Sequence, residues 1–346
     1  MPNLLNRISS FKKALGSVLS CGLARGSRTN PAVSVRILNV YATPVLMSGL
    51  ASQFLTKKEI SCLDQQYKRT LQNILKISVS SPRSLVHFVA GSLPATAILH
   101  LRQISLFSMI CHLSENPLYE HAQNGLHTSS LSRHSWFLQI SDILLMYQLP
   151  HPLTLLANPP KKETFKKLVK AKVIDYWEQL LRAEASYLPS LTYFKPQYRS
   201  LTKPHKLWTF CGGNPYEVSK ARIQLLFLAS QYPSGHLTRH WSKDNPSGYC
   251  SFPPCNQNQI VETTQHILLM CPAYTKIRQK MFSMCLSVSD SVSLRIITNV
   301  LFRSRESDSY LMQLLLDCSA VPEVIAATQL HGDQVFSDLF YIGGNF

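Results

Sequence analysis

The sequence predicts a mainly α-helical protein that combines a helical bundle, a proline-rich connector, a long amphipathic helix and a small metal-binding subdomain. Three observations support this prediction: long segments repeat apolar residues with the helical period, prolines concentrate between these segments, and cysteines cluster with a histidine near residue 260. The 346 residues, 45% of them hydrophobic, are enough to bury a substantial core.

Two helices are predicted in the first third of the chain. Residues 55–77 begin with the capping-box spacing of Thr56 and Glu59 and continue with apolar residues at the helical period. A second helix is predicted from Ala95 to Leu113, directly after Pro94. Five basic side chains of these helices are expected to face away from the core. They are candidates for contacts with the phosphates of nucleic acid: Lys57, Lys58, Lys68, Arg69 and Arg102.

A proline-rich stretch and a further helix follow. Residues 114–163 contain five prolines around one short apolar patch, which predicts a connector. Residues 164–185 place apolar side chains on one face and lysines on the other, which predicts an amphipathic helix. The lysine face of such a helix is most often simply solvated.

Residues 187–216 are predicted to be irregular, because four prolines interrupt them, and residues 218–230 return to a helical pattern. The irregular segment interleaves aromatic and basic residues. Tyr193, Tyr198 and Trp208 are candidates for stacking on unpaired bases. The alternative is that these aromatic rings hold the loop against the core.

The strongest local signal is Cys250-x4-Cys255-x10-His266-x4-Cys271. Two close pairs of ligands separated by a short loop suit tetrahedral zinc, and four protein ligands predict a closed, structural Zn²⁺ site. A break must separate His266 from Cys271, because residues five apart on an unbroken α-helix point in different directions. Pro272 favours such a break.

Other interpretations of this region remain open. Cys250 and Cys271 are ordinary buried thiols in the simplest alternative, with His266 a core histidine. Rival ligands are His236, His240 and Cys285.

The charge balance predicts a polyanionic partner. The chain has 35 Lys and Arg residues against 19 Asp and Glu residues, a formal net charge of +16, and the excess lies before residue 291. RNA or DNA fits this excess best and an anionic membrane less well, while a generic basic surface is the alternative. No membrane span is predicted, because residues 37–56, the best candidate, contain many polar positions.

An intracellular location, in the nucleus or cytoplasm, is predicted. Nine cysteines without a signal-peptide opening favour a reducing compartment. Residues before Glu59 carry no acidic side chain but several basic ones, which suits a mitochondrial transit peptide as well as a helix that faces nucleic acid.

Two blocks of sequence resemble reverse transcriptases of non-LTR, LINE-type retrotransposons. "TPVLMSGLASQFLTKKEISCLDQQYKRTLQNILKI" and the following "AGSLPATAILHLRQISLFSMI" are similar to the segment after the polymerase palm, where a strand leads into the thumb helix. "YCSFPPCNQNQIVETTQHILLMCPAYTKIRQ" resembles the cysteine–histidine knuckle near the end of these polyproteins. The matching positions are Pro44, Val45, Leu46, Gly49, Gly91, Leu93, Pro94, His100, Arg102, Ser105, Leu106, Glu262, Thr263, His266, Leu268, Cys271, Pro272, Tyr274 and Arg278.

The resemblance extends over about residues 30–340 and implies thumb helices that hold template and primer. It further implies a knuckle that helps to bind the element's RNA or its DNA target. The palm aspartates that hold two metal ions in this family, including an adjacent pair, have no counterpart here. We therefore expect a nucleic-acid-binding part of such a reverse transcriptase, without a polymerase active site and with a protein partner that carries the palm.

Two alternatives to this interpretation are a zinc-stabilised protein-interaction module and a transposon relic without function. Enzymatic activity is not expected, because the sequence also contains no Gly-rich phosphate loop and no nucleophile elbow. The sequence divides into a palm-remnant segment (1–52), a thumb-like helical domain (53–115), a connector (116–163), an amphipathic helix with an aromatic and basic segment (164–217), the knuckle region (218–290) and an acidic tail (291–346).

Overall fold

The computed structural model describes residues 2–18, 29–128, 135–239, 245–286, 291–304 and 308–331. In these ranges the protein is mainly α-helical, as predicted, and its β-type pairing is the single antiparallel bridge between Tyr249 and Val261.

The N-terminal part is a small helical layer. It consists of α1 (Pro2–Val18), α2 (Pro31–Ile37), a π-helical turn (Leu38–Ala42) and α3 (Thr43–Met47). The resemblance implies a strand near Pro44, and this expectation is wrong: Pro44 lies in α3, which continues directly from the π-helical turn before it. α1 packs against α3 through buried Leu4, Ile8 and Phe11.

The two helices predicted next are present. α4 (Lys57–Leu75) starts with the predicted capping box, in which Glu59 N donates to Thr56 Oγ1 at 3.3 Å and Thr56 N donates to Glu59 Oε2 at 2.9 Å. α5 (Arg83–Ala90) and α6 (Ala95–Cys111) follow. The Asp64 carboxylate fixes the first turn of α6, since Thr96 N donates to Asp64 Oδ1 at 2.8 Å.

The connector prediction is wrong for most of residues 116–163. This stretch contains α7 (Pro117–Thr128), α8 (Trp136–Met146) and α9 (Pro152–Ala157), which pack on α6 and on one another. Two of the prolines begin helices instead of interrupting them, because the first helical position tolerates proline. Apolar residues of this stretch, including Ala122, Ile140 and Leu144, are fully buried.

The predicted amphipathic helix is α10 (Lys162–Ser186). Its apolar face packs against α5 and α6, while Lys166, Lys167 and Lys170 are exposed. The next segment is irregular, as predicted. Its helical pieces are the 3₁₀ turns Pro189–Leu191 and Pro196–Tyr198 and the short α11 (Lys206–Phe210), and α12 (Pro215–Leu228) then covers the helical pattern expected at 218–230.

The C-terminal residues form helices that belong to the core. The small helix α13 (Gly235–Thr238) precedes the cysteine-rich segment, and α14 (Pro253–Gln257) lies within it. α15 (Thr275–Leu286), α16 (Ser291–Ser304), α17 (Asp308–Asp317) and α18 (Pro322–His331) follow. α17 packs against α12 and buries Met312, Leu315 and Leu316. The prediction of an acidic tail from residue 291 is therefore wrong as far as residue 331, and residues 332–346 lie outside the described part.

Among the described residues, the helical stretch 308–330 is long and apolar enough to cross a membrane, and 72% of an apolar 18-residue window within it is buried inside the fold.

Candidate metal centre

A compact knuckle positions the first two cysteines. The bridge between Tyr249 and Val261 closes a loop in which Cys250 N donates to Ile260 O at 2.9 Å and Ile260 N donates to Cys255 O at 3.0 Å. Cys255 lies in the single turn of α14, which Pro253 begins. Backbone hydrogen bonds thus fold the chain back on itself and turn both thiols to the same side.

A π-helical turn positions the other two residues. Thr263 Oγ1 accepts from His266 N at 3.1 Å, at the start of the turn His266–Met270. Cys271 N donates to His266 O at 2.7 Å, the i→i+5 bond of a π-helix, and Cys271 itself leaves the helix with extended dihedrals. The wider turn and the break before Pro272 allow side chains five residues apart to meet.

The four side chains form one buried cluster that can hold a metal ion. The thiol sulfurs and one imidazole nitrogen all lie within 4.8 Å of one another, and Cys250 Sγ is 3.6 Å from Cys271 Sγ. His266 is only 4% exposed, yet neither ring nitrogen has a hydrogen-bond partner among the described residues. A buried imidazole without a partner is costly, and a metal ion would give it one.

Burial disfavours the charged forms of these groups. It raises the pKa of the Cys250 thiol to about 12, raises that of Cys255 and lowers that of His266. The thiols of Cys250 and Cys255 therefore stay protonated in a site without metal, and a bound cation would displace their protons and stabilise thiolates. Phe252 and Tyr274 pack around the cluster and keep it apolar.

Polar contacts around the knuckle hold it to neighbouring elements. Arg278 on α15 is 9% exposed, and its Nη2 donates to Cys271 O at 2.5 Å. Glu262 Oε2 accepts from Gly235 N at 2.5 Å, which links the knuckle to α13. These contacts fix the orientation of the ligand-bearing backbone, as outer-shell contacts do in metal sites.

Of the three rival ligands, only His236 has a described side chain, and it lies outside the cluster. His236 is exposed, and its backbone N–H donates to Glu262 O at 3.2 Å. His240 and the side chain of Cys285 lie outside the described residues.

The predicted basic contact residues occupy two helices. Lys57, Lys58 and Arg69 are exposed on α4, while Lys68 on α4 and Arg102 on α6 are partly buried. Partial burial lowers the pKa of Lys68 and of Arg102. Lys57 and Lys68 also line a groove of about 710 Å³ between α4 and α8, together with Arg83 and Asp64.

The aromatic candidates divide into two groups. Tyr198 is 44% exposed and offers an open ring, whereas Tyr193 is only partly exposed, with a hydroxyl whose pKa burial raises. Trp208 does not fit the stacking prediction, because it is 1% exposed and its Nε1 donates to Val89 O at 3.2 Å. The Trp208 ring instead holds the loop against the core, which is the alternative interpretation.

Sequence reasoning missed a buried ion pair that joins the irregular segment to α17. Arg199 Nη2 pairs with Asp317 Oδ2 although 118 residues separate them, and both side chains are almost fully buried. The Arg199 guanidinium and His205 beside Asp317 hold the pKa of that carboxyl well below its usual range, despite its burial. A lone basic residue and a lone acidic residue so far apart in sequence give no signal of their pairing.

Comparisons with protein-family models, with curated proteins and with solved structures find no match to this chain.

Proposed function

We propose that this protein binds RNA or DNA through its cationic surface and that a structural zinc ion holds the knuckle that supports this surface. The observation that carries the proposal is the net charge of +16 on a chain that exposes Lys57, Lys58 and Arg69 on α4. Phosphate contacts from such side chains provide sequence-tolerant affinity for nucleic acid.

Zinc suits the cluster better than other common metals. Three thiols and one imidazole are the ligands of Cys₃His zinc sites. Two thiolates bound to one zinc ion at about 2.3 Å with tetrahedral angles lie about 3.8 Å apart, close to the 3.6 Å between Cys250 Sγ and Cys271 Sγ. Four protein ligands leave no position for an activated water, so the role is structural.

The resemblance to non-LTR retrotransposon reverse transcriptases supports the same function. Gly91, His266, Cys271 and Arg278 are among the matching positions, and each has a specific structural role in this protein. We propose that the chain is a nucleic-acid-binding part of such a protein, located in the nucleus or cytoplasm, and that a partner carries the palm.

Binding of a labelled single-stranded RNA, titrated with salt, tests the proposal. We expect affinity to fall steeply with salt, because each phosphate contact releases a counterion. The double variant Lys57→Glu, Lys58→Glu should weaken binding and flatten the salt dependence. Acidic residues in the first turn favour a helix, so α4 should stay folded. Lys167→Glu, an exposed lysine on α10, is the matched control.

The same titration with a strong zinc chelator tests the metal. Binding that chelation abolishes would support a knuckle that organises the nucleic-acid site. Folded, zinc-loaded protein that binds neither RNA nor DNA at low salt would contradict the proposal.

A second candidate function is a zinc-stabilised protein-interaction module, and one groove favours it. Between α6 and α10, Ile104, Phe165 and Val169 form the apolar floor of a cavity of about 380 Å³. Its rim is basic, with Arg102, Lys162, Lys166 and Lys170 against the single acidic residue Glu163. An amphipathic helix with acidic flanks fits this surface. Charge reversal at Lys166 and Lys170 should abolish capture of an acidic peptide helix and leave RNA binding intact.

A further inference from the structure

A second groove forms where the irregular segment meets the C-terminal helices. Residues 197–210 and the end of α10 make one wall, and Ser319 with residues of α18 makes the other. The cavity has a volume of about 800 Å³, within the range of ligand-binding clefts. Its walls come from parts of the chain more than 100 residues apart, so no local sequence pattern reveals it.

The floor of this groove holds buried cationic and polar groups. Arg199 is 8% exposed, and its Nε has no hydrogen-bond partner among the described residues, although Nη2 pairs with Asp317. His205 is 1% exposed, with Nε2 3.5 Å from Asp317 Oδ2. Burial lowers the pKa of His205, so the ring is neutral. Its contact with Asp317 is therefore a long contact between a neutral ring and a carboxylate. An unpartnered buried N–H of a guanidinium is costly unless a ligand accepts from it.

The charge of the groove favours an anion. Four cationic side chains line it, Arg182, Arg199, Lys203 and Lys206, against the single carboxylate of Glu178. Glu178 pairs with Arg182 at 2.6 Å, and Asp317, behind the floor, pairs with Arg199. Exposed Lys203 at the rim adds a positive charge beyond these two pairs.

An aromatic face accompanies the cations. Tyr198 lines the same groove with its ring 44% exposed, and Phe210 lies partly buried nearby. Alternation of phosphate-binding cations with an open aromatic ring is the arrangement by which proteins hold single strands, because every base has a face that can stack. A duplex keeps its base faces covered and would leave Tyr198 without a partner.

We propose that this groove binds a short single-stranded segment of nucleic acid, with phosphates on Lys203 and the Arg199 guanidinium and a base stacked on Tyr198. The inference rests on the proposed nucleic-acid-binding function and gives it a specific site away from α4. It also gives the C-terminal helices a role, since α18 forms a wall of the groove and Asp317 holds Arg199 in its floor.

The test compares two single variants with two matched controls in binding of a labelled single-stranded oligonucleotide. Tyr198→Ala removes the stacking ring, and Tyr187→Ala removes a tyrosine that is 84% exposed and lines no wall of this groove. Lys203→Glu reverses a rim charge, and Lys167→Glu makes the same change on the exposed face of α10. Thermal unfolding of each variant checks that the fold is retained.

We expect Tyr198→Ala to weaken binding by about tenfold, within the range found for loss of one base–aromatic stack. Lys203→Glu should make the slope of log affinity against log salt shallower by about one unit, the change expected when one phosphate contact is lost. Tyr187→Ala should bind like the wild type, and Lys167→Glu should change affinity by about twofold at most. Ultraviolet cross-linking should place the oligonucleotide on a peptide that contains Tyr198.

Three outcomes would overturn the inference, and they differ in whether the proposed nucleic-acid-binding function also fails. If the wild type binds but Tyr198→Ala and Lys203→Glu behave like their controls, the groove is not the site, while the proposed function remains. If inorganic phosphate competes as effectively per phosphate as the oligonucleotide, the groove is a simple anion site. If the wild type binds no nucleic acid, the proposed function fails and this inference fails with it.

Discussion

Gly91 packs directly against the backbone of Lys203. A Cβ atom at Gly91 would overlap the carbonyl carbon of Lys203 and the nitrogen of Pro204, and Gly91 has a φ of +62°. His205 N donates to Val89 O at 3.1 Å at the same junction. The end of α5 thus holds the segment that forms the floor and rim of the proposed strand-binding groove.

The first prediction concerns this junction. Gly91→Ala should lower the free energy of unfolding by more than about 2 kcal/mol, because the left-handed conformation costs an alanine about 1–2 kcal/mol and the overlap adds to it. Urea unfolding measures the loss. Gly213→Ala is the control, since a Cβ there meets nothing within 4 Å. Equal unfolding midpoints for the two variants would contradict the close packing at Gly91.

The elements that could be predicted from the sequence are those with local causes. The capping box of Thr56 and Glu59 and the apolar period of α10 act within one helix, so each was visible in a short window. The cluster of Cys250, Cys255, His266 and Cys271 was also predictable, because its ligands lie within 22 residues and their spacing alone suggests a shared ion.

What the sequence could not predict depends on contacts between distant residues. Pro117 and Pro152 suggested a connector, but the packing of their helices on α6 decides the structure. The sequence suggested that Trp208 is exposed and free to stack, but its contact with Val89 at the end of α5 buries it. The sequence placed Asp317 in an acidic tail, but in the structure Asp317 is buried and pairs with Arg199.

The second prediction tests that buried pair. Asp317→Asn should lower the free energy of unfolding by about 3–5 kcal/mol, because it leaves the Arg199 charge buried without compensation. A double variant that also carries Arg199→Met should be more stable than Asp317→Asn alone, since it removes the uncompensated charge. Glu184→Gln, at the more exposed pair with Arg83, is the control and should cost about 1 kcal/mol or less. A cost for Asp317→Asn as small as the control's would contradict the pairing.

The third prediction concerns the metal ligands. Cys255→Ser should lose bound zinc, measured by elemental analysis, and should lower the unfolding temperature, because binding free energy of a structural metal is folding free energy. Cys62→Ser is the matched control, since Cys62 lies on α4, outside the cluster. Full zinc content in Cys255→Ser would exclude Cys255 as a ligand.

The fourth prediction concerns Arg278, which holds the carbonyl of Cys271. Arg278→Lys should weaken zinc affinity by about 10- to 100-fold, the usual effect of losing an outer-shell contact. Competition with a chelating dye measures the change. Lys276→Arg, at an exposed position two residues earlier on α15, should bind zinc like the wild type. An unchanged affinity in Arg278→Lys would mean that the Arg278 contact does not support the ligand.

The fifth prediction concerns pH and rests on two buried histidines. Burial lowers the pKa of His87 to about 3 and that of His100 to about 4. Trp177 Nε1 donates to Tyr147 Oη at 2.9 Å, and Tyr147 Oη lies 2.8 Å from His100 Nδ1. Because burial lowers the pKa of His100, its ring is neutral at pH 7 in this contact.

Both histidines destabilise the fold as the pH falls below their unfolded pKa of about 6.5, because the unfolded chain then binds protons that the folded protein does not. Between pH 7 and pH 5 each should cost about 2 kcal/mol. The loss between these pH values should be smaller by about 2 kcal/mol in His100→Gln than in the wild type, measured by urea unfolding. His236→Gln, at an exposed position, should keep the wild-type difference. Equal pH dependence in His100→Gln and the wild type would mean that His100 is protonated in the folded protein as readily as in the unfolded chain.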